Sequence, residues 1–64
     1  RHMSEDALDM LRRALDAFSA GPLESWEVQR LAGLTVRETQ IALGSLELSD
    51  LVTRVGARYV RTTT

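Results

Sequence analysis

Three breaks divide this chain, at Gly21-Pro22, Gly33 and Gly56-Ala57. Glycine reaches positive φ and proline stops a helix, so regular elements must fit between these points. The segments between them carry two different hydrophobic periods. On either side of Gly33, and before Gly21, apolar residues recur at spacings of three and four, which is a helical period. Beyond Asp50, Val52, Thr53, Val55 and Val60 cluster around Gly56-Ala57. That is the pattern of two short strands joined by a tight turn.

Local signals place the elements. Ser4, followed by Glu5 and Asp6, is expected to cap a first helix, with the acids near its positive end. Leu8, Leu11, Leu15 and Phe18 form its stripe, with Ala7, Ala14 and Ala17 filling beside them. Gly21 is expected to supply a left-handed cap, Pro22 to prevent continuation, and Leu23 to join the core edge as a short extended residue. Ser25 then caps a second helix that runs to Ala32, with Val28, Leu31 and Ala32 inward and Gly33 as its stop. Leu34 turns the chain inward. Thr35-Val36-Arg37-Glu38 reads as a capping box, threonine capping forward and glutamate reaching back. It opens a third helix over Val36 to Leu48 with Thr39, Ala42, Leu43 and Leu46 inward, and Leu51 and Val52 carry the core onward. The runs Val52–Val55 and Arg58–Arg61 then pair around Gly56-Ala57, although their imperfect alternation leaves the register open.

Two helices joined by a short glycine-containing turn make a helix-turn-helix. The predicted fold class is therefore mainly α with a small β-hairpin: a winged helix-turn-helix, in which a three-helix bundle is closed by a wing. Sixty-four residues allow one domain. A chain this short buries only about 60% of its unfolded surface, and with no cysteine it must rely on packing alone. Residues 1–3, Arg1-His2-Met3, read as a vector remnant followed by an internal start. Residues 4–62 form the domain, and residues 63–64 are expected to be a frayed tail.

Charge narrows the function classes. The net charge is −1, which argues against a general polyanion binder. Its distribution is uneven, with three arginines against six acids up to Glu27, and Arg54, Arg58 and Arg61 with no acid from Leu51 onward. That asymmetry allows a local basic edge, or simply a solvated hairpin. Every basic residue is arginine, which fits either a binding role or a GC-rich genome.

Catalysis is not expected. The one histidine, His2, falls in the remnant, and there is neither a thiol nor a P-loop lysine. Glu24 and Glu27 are the nearest approach to a metal-ligand pair, and at a helix start they read better as partners of the helix dipole. No cofactor, metal, small-molecule substrate or membrane association is expected, and the lack of cysteine fits a cytoplasmic location.

The stretch from Pro22-Leu23-Glu24-Ser25-Trp26-Glu27-Val28 through Gly33-Leu34 resembles the first half of a bacterial winged helix. Leu43-Gly44-Ser45-Leu46-Glu47-Leu48-Ser49-Asp50-Leu51-Val52 resembles the second half. With Gly56-Ala57-Arg58-Tyr59-Val60-Arg61 following, the chain is most similar to the C-terminal winged-helix domain of the DprA/Smf DNA-processing family, over about residues 8 to 61. Gln29 departs from that pattern where a small core alanine is usual, and Asp50 departs where glycine usually ends the third helix. The resemblance implies a cytoplasmic bacterial protein that handles incoming single-stranded DNA in transformation and recombination. In that family the main single-strand site lies in a Rossmann-like domain, so this chain is expected to be an accessory module.

The outward face of the third helix carries the binding expectations. At about 100° per residue it presents Arg37, Gln40, Ile41, Gly44, Ser45 and Leu48. Arg37 stands near the end where DNA contact is expected, Gln40 suits an adenine edge and Ser45 a phosphate. Together with Arg54, Arg58 and Arg61 they form a candidate track for single- or double-stranded DNA. The alternative is a protein-interaction or self-association site on Ile41, Gly44 and Leu48, which align within about 60° of one another. The glycine there implies close approach of another backbone, whether the wing, a second copy or another protein. Trp26 and Tyr59 are each read as core packing in preference to base stacking.

Overall fold

The computed structural model describes residues 3–62, with side chains from Asp6 onward. The first two residues of the expected remnant and the tail at 63–64 lie outside the described residues. Along the chain come α1 (Met3–Ala17), a 3₁₀ turn (Phe18–Ala20), β1 (Leu23–Glu24), α2 (Ser25–Ala32), α3 (Val36–Leu48), β2 (Val52–Val55) and β3 (Arg58–Arg61). The strands form one antiparallel sheet in the order β1-β3-β2. Three helices and a small three-stranded sheet are compatible with a winged-helix arrangement. No helix among the described residues is long and apolar enough to cross a membrane.

The core joins all three helices and the sheet: Ala14, Ala17 and Phe18, then Leu23, Val28 and Leu34, then Ala42, Leu43, Leu46 and Val52. In α1 the buried line does not follow the leucine stripe. Ala14 is fully buried, whereas Leu11 and Leu15 are only partly covered and Leu8 is 64% exposed. Leu8 stands about 120° around the helix from Ala14. The alanines thus face the other helices and allow close approach, and the leucines flank that seam. Ser4 is also displaced from its expected place, because the helix already includes Met3.

The end of α1 departs from the expected left-handed cap. The chain tightens into the 3₁₀ turn, and Gly21 adopts φ 109° and ψ −163°, an extended conformation at positive φ that strongly favours glycine. Leu23 and Glu24 then pair with Tyr59 and Arg58. This third strand was foreseen only as a single extended residue.

Glu24, not Ser25, is the N-cap residue of α2. The Glu27 carboxylate reaches back to accept from the Glu24 backbone N–H at 2.8 Å. Val28 is fully buried, but Leu31, expected beside it, is 58% exposed. Gly33 ends the helix in the left-handed conformation, and the Gly33 and Leu34 amides both donate to the Gln29 carbonyl.

The capping box of α3 forms as its sequence predicts. The Glu38 amide donates to Thr35 Oγ1 at 3.0 Å and the Thr35 amide donates to the Glu38 carboxylate at 2.9 Å. The expected inward face, Thr39, Ala42, Leu43 and Leu46, is buried throughout. At the other end the Leu51 amide bonds the Leu46 carbonyl and the Asp50 amide bonds that of Glu47, a Schellman pattern. Asp50 holds the left-handed position at φ 61°. The turn that this motif makes leaves Leu51 exposed and sends only Val52 into the core.

Candidate functional site

The hairpin register assigns each of its side chains to a face. Across the two-residue turn Val55 opposes Arg58, then Arg54 opposes Tyr59, Thr53 opposes Val60, and Val52 opposes Arg61. Opposed residues share a face, and successive residues along a strand point to opposite faces. Val52, Arg54, Tyr59 and Arg61 therefore share the face that packs on the helices, together with Leu23. Arg58 lies on the other face, between Val55 and Glu24 of its neighbouring strands. The three hairpin arginines are thus split two against one.

On the inner face a hollow of about 440 Å³ opens between α3 and the hairpin. Gln40, Gly44 and Glu47 line its helical side, Arg54 and Tyr59 its strand side, and Ser25 its floor from α2. Gln40, Gly44 and Glu47 follow the spacing i, i+4, i+7, so one stripe of α3 faces the hairpin. The Arg54 guanidinium sits over the Tyr59 ring, 5.2 Å from its centroid, and donates to the Tyr59 hydroxyl at 3.0 Å. Tyr59 is half-buried against the core, in line with its expected packing role.

The other expected site residues occupy separate positions. Arg37 is exposed in the first turn of α3, one residue from Glu38. Ser45 is half-buried and does not line this hollow. Ile41 and Leu48 lie further around α3, at 50% and 87% exposure. Leu48 therefore does not pack under the hairpin. Gly44 admits no tight contact within the chain either, since a Cβ built there meets nothing within 4 Å.

Trp26 was expected in the core and is instead 55% exposed, its Nε1 donating to Glu24 Oε1 at 3.0 Å. Ser25, Glu47 and Tyr59 also enter the site without having been foreseen there. The fixed two-residue turn was the available signal for Tyr59, because it alone sets Arg54 opposite Tyr59.

The charges around the hollow are mixed, with Arg54 on one wall and Glu47 on the other. The ion pairs among the described residues are those of Asp9 with Arg12 and Arg13 on α1, which leaves Arg37, Arg54 and Arg61 available to an external anion. Among the described residues no group of three or more His, Cys, Asp or Glu is placed to hold a metal ion.

Comparison with known proteins gives no match to a family model, to a curated protein or to a solved structure.

Proposed function

We propose that this chain is a winged-helix DNA-binding domain whose phosphate contacts come from Arg37 at the start of α3 and from Arg54 and Arg61 on the inner hairpin face. The observation that supports this reading is that Arg54 lines the same hollow as Gln40, which sets a hairpin cation and a helix amide side by side for a ligand. Arg58, on the outer face, takes no part. Three phosphate contacts correspond to a salt slope of roughly −2 on single strands and −3 on duplex. Anisotropy of labelled single and double strands at two salt concentrations tests it, and absence of binding at low salt overturns it. The similarity to the DprA/Smf winged helix supports a parent protein of bacterial DNA processing, acting on single strands in transformation and recombination. Under that reading the domain is a cytoplasmic accessory module without catalytic activity.

A second reading, self-association or partner binding through Ile41, Gly44 and Leu48, is favoured by one observation. Leu48 is 87% and Ile41 50% exposed, so both apolar side chains of this strip are open to solvent.

A further inference from the structure

Trp26 is the one tryptophan of the chain, and its indole is presented to solvent rather than to the core. Its orientation is fixed from below. The N–H is bonded to Glu24, and Glu24 is itself the helix cap tied down by Glu27. With its donor satisfied, the ring has only its π-surface left to offer a ligand.

Two hollows meet at this ring. One, of about 300 Å³, is lined by Trp26, Glu27, Arg30 and Leu31. The other, of about 190 Å³, lies between α2 and α3 and brings Gln29, Val36 and Gln40 beside the indole. This second hollow shares Ser25 and Gln40 with the one under the hairpin. The three hollows thus neighbour one another through shared lining residues, in the order Arg54 and Tyr59, Gln40, Trp26 and Arg30, and we read them as one groove. Each end pairs an aromatic ring with an arginine, and amide side chains line the middle. Among the described residues neither arginine has a carboxylate within ion-pair distance.

We propose that Trp26 is a stacking platform for an unpaired base of a single-stranded nucleic acid whose backbone follows this groove between Arg54 and Arg30. The proposal rests on the nucleic-acid reading above and selects its substrate class. A base inside a duplex shows a protein only its edge, whereas an unpaired base offers the face that an aromatic ring can stack on. Gln29 and Gln40 supply donors and acceptors for base edges, and the two arginines supply phosphate contacts. Glu27 and Glu47 also border the groove. Glu27 is already engaged by the Glu24 amide, while Glu47 opposes a phosphate and weakens binding.

The tryptophan is its own reporter. The full chain is titrated with a short oligo(dT) strand and with a short hairpin duplex, and tryptophan emission and the anisotropy of a labelled strand are followed together. Oligo(dT) is expected to quench the emission in step with the anisotropy change. Trp26→Ala should weaken oligo(dT) binding roughly 5- to 150-fold, the range given by losing one base–aromatic stack, and Trp26→Phe should restore most of it. Glu47→Gln should tighten it. Photocrosslinking of a 5-iododeoxyuridine strand, mapped to Trp26 in the unaltered chain, gives a readout that needs no variant. Oligo(dT) binding without quenching, without the crosslink and with full affinity in Trp26→Ala overturns the platform and leaves the nucleic-acid reading standing. An equal loss on duplex and single strand overturns the assignment to unpaired bases. No binding of either form at low salt overturns both proposals.

Discussion

Arg54 and Tyr59 are cross-strand partners whose side chains meet twice, by a 3.0 Å hydrogen bond and by a guanidinium placed 5.2 Å from the ring centroid. The pair fixes the one cation on the hairpin wall of the hollow. Tyr59 also touches the core and pairs on its other side with Leu23, so the position of Arg54 is referred back to the domain interior. A long flexible side chain is thereby held ready for a ligand, which lowers the entropy that binding must remove.

The split of the hairpin arginines gives a direct test. Arg54→Gln should reduce the salt slope of DNA binding by about 0.7 to 0.9, the contribution of one phosphate contact. Arg58→Gln should leave the slope unchanged, because that side chain leaves the opposite face of the sheet. Affinities measured across a salt series distinguish the two. Equal effects would mean that the whole hairpin, rather than its inner face, meets the DNA.

Gly44 lies in the middle of α3 with open space where a side chain would be. Helical glycine costs about 1 kcal/mol relative to alanine. Gly44→Ala should therefore stabilise the domain by about that amount, raising Tm by roughly 4–8 °C for a chain of this size. Thermal unfolding by circular dichroism checks it, and a lower Tm would reveal a close contact at this position.

Asp50 combines two unfavourable features, a left-handed backbone at φ 61° and a negative charge beyond the C-terminus of α3. Asp50→Asn removes the charge and should gain about 0.3–1 kcal/mol at low salt, an advantage that salt diminishes. Asp50→Gly also relieves the backbone and should gain further, by about 1 kcal/mol, independently of salt. Urea unfolding at two ionic strengths separates the contributions. A destabilised Asp50→Gly would assign the aspartate side chain a bond worth more than the strain.

Residues with strong local determinants were legible in the sequence. Thr35 and Glu38 close the box that starts α3, and the helix keeps four inward positions over thirteen residues, so both its bounds and its buried face could be read. Gly56 likewise marks the hairpin, since its φ of 65° at the first turn position is one that glycine adopts readily. What tertiary context decides was not legible. In α2, eight residues make little more than two turns, and apolar spacings of three and four fit more than one face. Val28 won the core, while Leu31 and Trp26 were left outside. In α1 the seam chose small Ala14 over the leucine stripe, because packing rewards close approach as well as apolar area. The two residues of β1 carry no period at all, and their strand exists only because β3 lies alongside.

The exposed strip on α3 makes a separate prediction about assembly. Ile41 and Leu48 lie about 20° apart on the helix, with Gly44 between them in sequence. If a second copy covers this strip, sedimentation velocity will show mass increasing with concentration. Ile41→Asp should return the chain to monomer with little change in Tm, since Ile41 is half exposed and no core contact is lost. Leu48→Lys should do the same and slightly favour the fold, because it places a cation in the last turn of the helix. Gly44→Ala then separates the two roles of one residue. The added methyl strengthens the helix in the monomer but holds an approaching backbone away, so Tm should rise while association weakens. A chain that stays monomeric over the whole concentration range excludes self-association through this face, and the raised Tm of Gly44→Ala would then be its whole effect.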